Sequence, residues 1–303
     1  MNEKSNYPKV AVTAATGGLG RLVVEELIKT AGQSNVVAIA RDPSKANFSS
    51  WSAQTVETRK ADYASVKDLA AAFTGVDTVV FVSSPVGVGD RVQLHRNVIE
   101  AGKQAGVRKM IYTSVIGNGD ELETLYALMA ELNRQTEKDL QDSGMEWVVG
   151  RNGLYLEFDV AHILNASSEG VFRNNGGEGY CCYITRNELA RAFAAIALDD
   201  HCNSRILNFV GDAYRQEDLV ELVNNLAATE VSYEQIDDEA TLTKIAAIRG
   251  EEVAAMLTGC YQAIRNGSFD VPSDMEDAIG TSCKPMQFMI AEVVAAIRAG
   301  KES

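Results

Sequence analysis

The chain has 303 residues, 46% of them hydrophobic and 23% charged, which is the composition of an ordinary globular protein with enough length for a full core. Its 28 Lys and Arg residues and 42 Asp and Glu residues give a net charge of −14, and no basic patch is concentrated along the sequence. We therefore expect neither a nucleic-acid partner nor a membrane partner. The first residues (MNEKSNYPKV) are polar, so the sequence predicts a cytoplasmic protein without a signal peptide or a spanning helix.

The cysteines and histidines do not indicate a metal site. The five cysteines are odd in number and lack C-x-x-C spacing, so we expect reduced, structural thiols at Cys181, Cys182, Cys202, Cys260 and Cys283. The three histidines form no H-x-x-x-H pair and are scattered over the chain at His95, His162 and His201. The sequence therefore predicts no metal ion.

Short β-branched runs alternate with longer segments of helical period over the first half of the chain. The predicted strands are Lys9–Thr13, Asn35–Ala40, roughly Gln54–Lys60, Asp77–Val82, Arg108–Thr113 and Glu146–Gly150. The predicted helices between them are Gly18–Thr30, Asp68–Phe73, Val92–Ala105 and Leu122–Leu140. This order is typical of βαβ units, and their right-handed crossovers predict an α/β fold with a Rossmann-like, doubly wound parallel sheet.

The strict alternation ends after Gly150. Helical period returns in Asn187–Leu198, Arg215–Leu226 and Met286–Ala299, and further strands are predicted at Ile206–Val210 and Val231–Ile236. The stretch Asn174–Gly179 (NNGGEG) is predicted to be a turn on the surface. We therefore expect a Rossmann domain at 1–150 and a smaller, mainly helical lobe at 151–303. The boundary is approximate, because the chain can cross between the lobes, and a substrate pocket is expected between them.

The segment between the first predicted strand and the first predicted helix, Thr13–Gly20 (TAATGGLG), is rich in glycine. In dinucleotide-binding folds such a loop turns tightly and lets the backbone approach a pyrophosphate at the helix N-terminus. Gly17 and Gly20 match the second and third glycines of the dinucleotide pattern, while Ala14 replaces the first. The loop therefore predicts NAD(P) binding by the domain at 1–150, and its alternative role is only to pack the helix on the strand.

Polar residues follow several predicted strands, at the edge where open α/β sheets bind ligands. These residues are Arg41 after the second strand, Asp62 and Tyr63 after the third, Ser83, Ser84 and Pro85 after the fourth, and Thr113 at the end of the fifth. An arginine at the end of the second strand can bind the 2′-phosphate of NADP(H), whereas NAD(H) needs an acidic residue to hold its ribose. Arg41 therefore predicts a preference for NADP(H) over NAD(H).

Several further motifs carry a family resemblance. They are TAATGGLG at Thr13–Gly20, ARDPSKA at Ala40–Ala46, ADY at Ala61–Tyr63, QLHRNVIEAGKQAGVRKMIYTS at Gln93–Ser114, QTEKDLQDSGMEW at Gln135–Trp147, RNG at Arg151–Gly153 and TRNELARAFAAIAL at Thr185–Leu198. Over nearly its whole length the chain resembles the NmrA-like atypical short-chain dehydrogenases/reductases. Within that group it is particularly similar to NADPH-dependent quinone oxidoreductases and triphenylmethane reductases.

The resemblance implies a role for each matching position. It implies a pyrophosphate cradle at Thr16, Gly17, Gly18, Leu19 and Gly20, adenine contacts at Asp62 and Tyr63, ribose and nicotinamide contacts at Ser83, Ser84 and Pro85, further cofactor contacts at Thr113 and Asn152, and a substrate contact at Tyr155. Simpler roles are open at some of these positions. Asp62 is also a candidate cap of the next helix, the two serines are also ordinary strand-end residues, and Arg151 is also a candidate solvated side chain.

The catalytic pair of typical short-chain dehydrogenases is broken in this sequence. Those enzymes reduce carbonyls with a tyrosine whose pKa is lowered by a lysine four residues later. The pattern Y-x-x-x-K occurs once, at Tyr63–Lys67, too early in the chain to face a nicotinamide. At the expected position Tyr126 is followed by Ala130, so Tyr126 is a candidate acid or a core aromatic, with a pKa expected near that of free tyrosine. Asn133 is a candidate partner for the nicotinamide carboxamide or a substrate oxygen.

These observations predict an oxidoreductase whose cofactor carries the chemistry. The leading hypothesis is NAD(P)H-dependent hydride transfer to a quinone-like or other electron-poor small molecule, with an oligomer possible. The alternative is a non-catalytic, NmrA-like sensor that binds the dinucleotide and reports its redox state to a protein partner. A sugar-nucleotide epimerase ranks last, because that chemistry needs the tyrosine–lysine pair.

Overall fold

The computed structural model describes residues 7–45, 56–85 and 89–300. The first six residues and the beginning of the predicted strand Gln54–Lys60 lie outside the described residues. The strands are β1 (Val10–Val12), β2 (Val36–Ala40), β3 (Glu57–Lys60), β4 (Thr78–Phe81), β5 (Lys109–Val115), β6 (Glu146–Asn152), β7 (Leu154–Tyr155), β8 (Val171–Asn174), β9 (Cys181–Ile184), β10 (Arg205–Phe209), β11 (Ala213–Tyr214) and β12 (Ser232–Gln235). The helices are α1 (Gly18–Ala31), α2 (Val66–Ala72), α3 (Arg91–Ala105), α4 (Ala127–Gln141), α5 (Leu156–Asn165), α6 (Arg186–Leu198), α7 (Gln216–Ala227), α8 (Asp238–Arg249), α9 (Glu251–Arg265), α10 (Met275–Ile279) and α11 (Met286–Arg298).

A seven-stranded sheet with the order β10-β6-β5-β4-β1-β2-β3 forms the centre of the structure. Its strands all pair in parallel, and β1 lies between β2 and β4, with Val12 opposite both Ala38 and Val80. The chain winds outward from β1 in both directions, which confirms the predicted doubly wound sheet. In such a sheet the crevice for ligands lies at the carboxyl ends of the strands where the winding reverses, here β1 and β4.

Helices cover both faces of this sheet. On one face Leu27 of α1 and Phe193 of α6 are fully buried in one hydrophobic cluster. On the other face Leu69 of α2, Val98 of α3 and Leu140 of α4 are fully buried in another. Because both faces are covered, the central strands are continuous apolar runs rather than alternating ones, and every residue of β2 and β4 is buried.

The chain after β6 builds a second core and also returns to the first sheet. Strands β7, β9 and β11 form a small sheet, β8 and β12 form another, and a hydrophobic cluster with Val160 of α5, Val223 of α7 and Ile290 of α11 packs with them. Between these elements α6 packs on α1 and β10 pairs with β6. The helical character predicted for this half is confirmed. The division at residue 150 stays a prediction, because the later segment Arg186–Phe209 packs against the large sheet of the first half.

The predicted helix Leu122–Leu140 is wrong at its start, because α4 begins only at Ala127, after a 3₁₀ turn. Contacts with α9 explain the difference. Gln262 of α9 accepts a hydrogen bond from the N–H of Leu125 at 2.9 Å, and a Cβ atom on Gly259 would overlap the backbone beside it. The segment before α4 is therefore held by a distant helix, which no local period could indicate.

The predicted surface turn Asn174–Gly179 is also wrong in its exposure, because Asn174 and Asn175 are buried. The Asn174 side-chain amide donates to Oε1 of Gln216 in α7 at 2.9 Å. The Asn175 amide donates to Oδ1 of Asp238 in α8 at 2.7 Å. The segment does turn, but α7 and α8 cover it and accept hydrogen bonds from both asparagine amides, so it belongs to the second core.

Three further features of the described residues concern membranes, metal ions and thiols. Within 7–45, 56–85 and 89–300, no helix is long and apolar enough to cross a membrane. The same ranges contain no group of three or more His, Cys, Asp and Glu residues able to hold a metal ion. All five cysteines are free, four of them are buried, and burial raises the pKa of each thiol. Such thiols pack rather than react.

Candidate functional site

The glycine-rich loop brings the N-terminus of α1 to the carboxyl end of β1. Ala14 has a left-handed conformation (φ 48°) at the position where the dinucleotide pattern has a glycine. A Cβ atom on Gly20 would overlap the carbonyl group of Ala14, so glycine is needed for this close approach of α1 to β1. Gly17 and Gly18 are exposed, and no described side chain caps α1. The first N–H groups of α1 are therefore open to an anionic ligand such as a diphosphate.

Arg186, the first residue of α6, lies directly beside this loop. A Cβ atom added to Gly18 would overlap the Nη1 atom of Arg186. The Arg186 backbone N–H donates to Oε1 of Glu157 at 2.8 Å, and its Nε atom lies 3.5 Å from the same oxygen. Its Nη2 atom is buried and has no hydrogen-bond partner among the residues described. An arginine with an unused N–H group beside a helix N-terminus is well placed to bind a phosphate.

Tyr155 and Phe158 form an aromatic pair next to Arg186. Their rings stack with centroids 5.8 Å apart and an angle of 24° between the planes. The guanidinium carbon of Arg186 lies 5.7 Å from each ring centre. Phe158 is 54% exposed although it is a large hydrophobic residue. The exposed ring of Phe158 therefore offers an apolar face on which a planar aromatic molecule can stack.

Asn152 ends β6 next to the aromatic pair. Its Nδ2 atom lies 3.5 Å from the Tyr155 hydroxyl, whereas its Oδ1 atom is buried without a hydrogen-bond partner in the described part of the chain. A buried oxygen that lacks a donor costs stability, so a ligand amide at this point would satisfy it. The preceding residue is not solvated, since Arg151 forms an ion pair with the buried carboxylate of Glu137 at 2.7 Å.

Arg41 and Asp42 differ in how they are held at the end of β2. Arg41 is exposed and forms no hydrogen bond or ion pair with any other described residue. The Oδ1 atom of Asp42 accepts hydrogen bonds from the Ser44 N–H at 3.1 Å and the Ser44 hydroxyl at 2.6 Å. The carboxylate is thus occupied within its own turn, and Arg41 is the side chain at this strand end that can reach a ligand.

The two residues predicted to lie by the adenine have different environments. Asp62 is exposed and does not cap α2, because the side chain of Ser65 does so. The hydroxyl of Tyr63 lies 2.5 Å from Oγ1 of Thr13 and donates to the carbonyl oxygen of Val82 at 2.6 Å. Burial raises the pKa of Tyr63. Its hydroxyl therefore bridges β1 and the end of β4, and only the ring or the backbone of Tyr63 is left for the adenine.

A buried network holds the chain after β4. The Oγ1 atom of Thr113 accepts from the Ser83 N–H at 2.9 Å, and Nε2 of His95 accepts from the Ser84 N–H at 3.0 Å. The Nδ1 atom of His95 lies 2.9 Å from the hydroxyl of Thr136. Burial lowers the pKa of His95 to about 3, so the imidazole is neutral at physiological pH. His95 and Thr113 therefore support the serines from behind.

Tyr126 stands immediately before α4, and its ring is buried against Phe269 in an edge-to-face contact with centroids 5.5 Å apart. Its hydroxyl forms no hydrogen bond within the part of the chain that the structure describes. Burial raises the pKa of Tyr126 well above that of free tyrosine, which corrects the expectation of an unperturbed value. Ala130, four residues after Tyr126, is fully buried and carries no charge. Tyr126 is thus a weaker acid than the sequence predicts.

Asn133 is fully buried, and its amide is used within the protein. Its Oδ1 atom accepts hydrogen bonds from the Tyr112 hydroxyl at 2.7 Å and from Nη2 of Arg91 at 3.2 Å. Its Nδ2 atom donates to the carbonyl oxygen of Met129 at 2.8 Å. A direct contact of Asn133 with nicotinamide or substrate therefore stays a prediction, and in this structure the residue holds Arg91 and Tyr112.

The structure joins some of the predicted residues into one surface and leaves others apart. The loop, Arg186, the aromatic pair and Asn152 follow one another in contact. The remaining predicted positions are Thr16 and Pro85, which are exposed, and Leu19, whose side chain lies in the core. Sequence reasoning missed the roles of Arg186 and Phe158. The only signal for Arg186 is the motif TRNELARAFAAIAL, in which it is the second residue.

Residues 14–200, more than half of the chain, match the NAD(P)H-binding family. The chain belongs to this family. It is 34% identical to quinone oxidoreductase 2 of Escherichia coli (strain K12) over 276 residues, which cover 89% of this chain and 93% of that protein. Its fold is similar to the NADPH-dependent quinone oxidoreductase from Escherichia coli complexed with NADPH, with a TM-score of 0.84, 30% identity, and coverage of 95% of this chain and 99% of that chain. It is also similar to the Citrobacter sp. triphenylmethane reductase complexed with NADP(H), with a TM-score of 0.83, 29% identity, and coverage of 94% and 99%.

As a member of the NAD(P)H-binding family, the chain has groups that fit three parts of such a cofactor. The open N–H groups of α1 and the unused N–H group of Arg186 suit a diphosphate. The exposed Arg41 suits a 2′-phosphate. The unpaired Oδ1 atom of Asn152 suits a carboxamide N–H. The predicted family resemblance is confirmed, whereas the role of each named residue stays a prediction.

Proposed function

We propose that the protein is an NADPH-dependent oxidoreductase that transfers hydride to quinone-like or other electron-poor conjugated acceptors. The observation that carries this proposal is the Tyr155–Phe158 pair, with Phe158 exposed, which Arg186 joins to the open N-terminus of α1. An aromatic surface so near a phosphate-binding loop suits a planar acceptor next to a dinucleotide. The names of the similar proteins, quinone oxidoreductase and triphenylmethane reductase, support the same class of acceptor.

The chain's own residues would bind and orient the two reactants. When bound, NADPH supplies two electrons and a hydrogen nucleus as hydride. The backbone N–H groups of α1 and the guanidinium of Arg186 would hold the diphosphate, and Arg41 would hold the 2′-phosphate. Asn152 would orient the carboxamide through its unpaired oxygen. Orientation of this kind is the protein's main contribution when no side chain has to exchange a proton.

The environment of Tyr126 explains why electron-poor acceptors are favoured. A simple ketone needs an acid to protonate its oxygen as the hydride arrives. Tyr126 is a poor acid for this purpose, because burial raises its pKa and no lysine accompanies it. A quinone instead becomes a delocalised anion that water can protonate afterwards. We therefore infer that the site selects acceptors that stabilise their own negative charge.

The proposal is tested by following the absorbance of NADPH with 1,4-naphthoquinone, with cyclohexanone and with neither, each against a blank without protein. We expect oxidation that depends on both protein and quinone, and negligible oxidation with the ketone. Binding of NADPH and NADP⁺ without any consumption would favour the sensor alternative. Rapid turnover of cyclohexanone would contradict the argument from the missing lysine.

A further inference from the structure

Arg91, the first residue of α3, is a buried cation without a counter-charge. It is 8% exposed, and its Nε atom is buried without a hydrogen-bond partner in the described residues. Its Nη2 atom donates to Oδ1 of Asn133, and its Nη1 atom lies 2.7 Å from the sulfur of Met129. Within 7–45, 56–85 and 89–300, no carboxylate pairs with it. An unpaired buried charge costs stability, so such a residue is a candidate for a task other than stability.

The position of Arg91 relates it to the broken catalytic pair. Its two partners on α4, Met129 and Asn133, are one helical turn apart and flank Ala130, the position that corresponds to the lysine of the Y-x-x-x-K pattern. A guanidinium from α3 therefore lies against the stretch of α4 from which the lysine is missing. Ala130 is fully buried and carries no charge of its own.

The neighbouring arginine on α4 does not supply the same charge. Arg134 forms ion pairs with Glu121 at 3.0 Å and with Glu137 at 2.8 Å, so its charge is compensated. Arg91 has no such partner. Burial raises the pKa of the Tyr126 hydroxyl, and the charges of Arg91 and Arg134 both oppose that rise, but only Arg91 does so without a carboxylate partner in the described residues. Among the described arginines near α4, Arg91 is thus the one with an uncompensated field.

We propose that Arg91 supplies from α3 the positive charge that the lysine position of α4 no longer carries, and that it binds the oxygen on which negative charge forms as the acceptor is reduced. This inference rests on the proposed function and names the group that assists it. The acceptor gains a hydrogen nucleus and two electrons from NADPH, which leaves as NADP⁺. One oxygen of the reduced quinone then carries the negative charge until a proton from water completes the hydroquinone. A guanidinium is suited to that phenolate oxygen, because it stays protonated and donates several hydrogen bonds.

The kinetic test compares Arg91→Met, Arg91→Lys and Arg96→Met. Arg96→Met is the matched control, because Arg96 is on the same helix, is exposed and forms an ion pair with Asp139. We expect Arg91→Met to lower kcat with 1,4-naphthoquinone by about 100-fold, as loss of one charge-stabilising donor does. The dissociation constant for NADPH should stay within about threefold of the parent value, because the proposed contact is with the acceptor. Arg91→Lys should recover most of the loss and Arg96→Met should show none.

Two measurements without turnover separate this role from a structural one. Arg91→Met should unfold at the same or a higher temperature than the parent, because it removes an unpaired buried charge and keeps the volume. The NADP⁺-loaded parent should bind 4-nitrophenol as its coloured phenolate at a fixed neutral pH, and Arg91→Met should bind it neutral or not at all.

Three outcomes would overturn the inference. They are an unchanged kcat in Arg91→Met, a lower unfolding temperature with a matching loss of NADPH binding, and equal phenolate binding by both proteins. If the parent itself reduces no quinone, the proposed function fails first. If the parent reduces quinone and Arg91→Met does so equally well, only the role of Arg91 fails.

Discussion

The expected preference for NADP(H) over NAD(H) depends on Arg41 alone at the end of β2, because the carboxylate of Asp42 beside it accepts hydrogen bonds from Ser44. We expect Arg41→Ala to weaken NADPH binding by about 1.5–3 kcal/mol, or roughly 10- to 150-fold, since a charge-assisted pair with the 2′-phosphate is lost. NADH has no 2′-phosphate, so its affinity should change little. Titration of each dinucleotide by fluorescence measures both, with Arg249→Ala on the exposed end of α8 as the control. An unchanged ratio of the affinities for NADPH and NADH would show that Arg41 does not bind the 2′-phosphate.

Tyr126 offers a second test, because a substitution can remove its hydroxyl and keep its ring. The ring packs on Phe269, while the hydroxyl has no partner among the described residues, so Tyr126→Phe should fold like the parent. We expect kcat with quinones to fall by no more than about tenfold, or ~1.4 kcal/mol of barrier, because burial raises the pKa of this phenol and makes it a poor acid. A loss of a thousandfold or more in steady-state kinetics would identify Tyr126 as the proton donor.

The turn between β1 and α1 can be tested at two positions, Gly17 and Ala14. At Gly17 a Cβ atom would lie 3.2 Å from the carbonyl oxygen of Ala14, a tight contact that a shift of a few tenths of an ångström relieves, and the branches of valine would occupy the space of the diphosphate. Gly17→Val should therefore fold and lose NADPH binding. Ala14→Gly should bind NADPH as the parent does and stay within about 1 kcal/mol in unfolding free energy, because relief of the left-handed conformation offsets the entropy of glycine.

Circular dichroism and calorimetric titration measure folding and binding for both variants. A folded Gly17→Val protein with parental affinity for NADPH would refute the phosphate-loop assignment. Loss of binding in Ala14→Gly would show that the methyl group of Ala14, and not only its backbone, shapes the site.

Elements with a local period could be predicted from the sequence, and elements fixed by distant contacts could not. The strands of the large sheet and helix α1 follow from apolar runs and a 3.6-residue stripe, which depend only on neighbouring residues. The start of α4 depends on Gln262 of α9, and the burial of Asn174 depends on Gln216 of α7. Neither partner is close in sequence, so a local pattern predicts a longer helix and an exposed turn.

In the candidate site too, some residues could be predicted from the sequence and others depend on distant contacts. Arg41 and the glycine loop could be found because the topology of a parallel sheet gathers strand ends at one edge. Arg186 and Arg91 could not be assigned roles, since their meaning comes from what they touch across the fold: Gly18 for the first, and Met129 with Asn133 for the second. Composition and spacing carry no information on which arginine lacks a carboxylate partner.

Arg186 connects the large sheet and the second core, the two parts of the molecule that a bound cofactor would contact. It begins α6, which packs on α1, and it follows directly after Thr185, the residue next to β9 of the small sheet. Its partner Glu157 lies in α5, beside the aromatic pair. A diphosphate bound by Arg186 and by the N-terminus of α1 would therefore link the large sheet to the second core.

This link predicts a cofactor-dependent gain in the stability of the whole chain. NADPH at 100 times its dissociation constant should stabilise the parent by about 2.7 kcal/mol, because it binds only the folded protein. Arg186→Met should bind NADPH about tenfold more weakly and so lose roughly 1.3 kcal/mol of that gain at the same concentration. The control Arg249→Met should keep the full gain. Calorimetric unfolding with and without NADPH measures the gain within each variant, so a change in the stability of the free protein does not affect the comparison. If Arg186→Met gained as much as the parent, the unused N–H group of Arg186 would not be a diphosphate ligand, and the link between the two cores would have to run through Asn152.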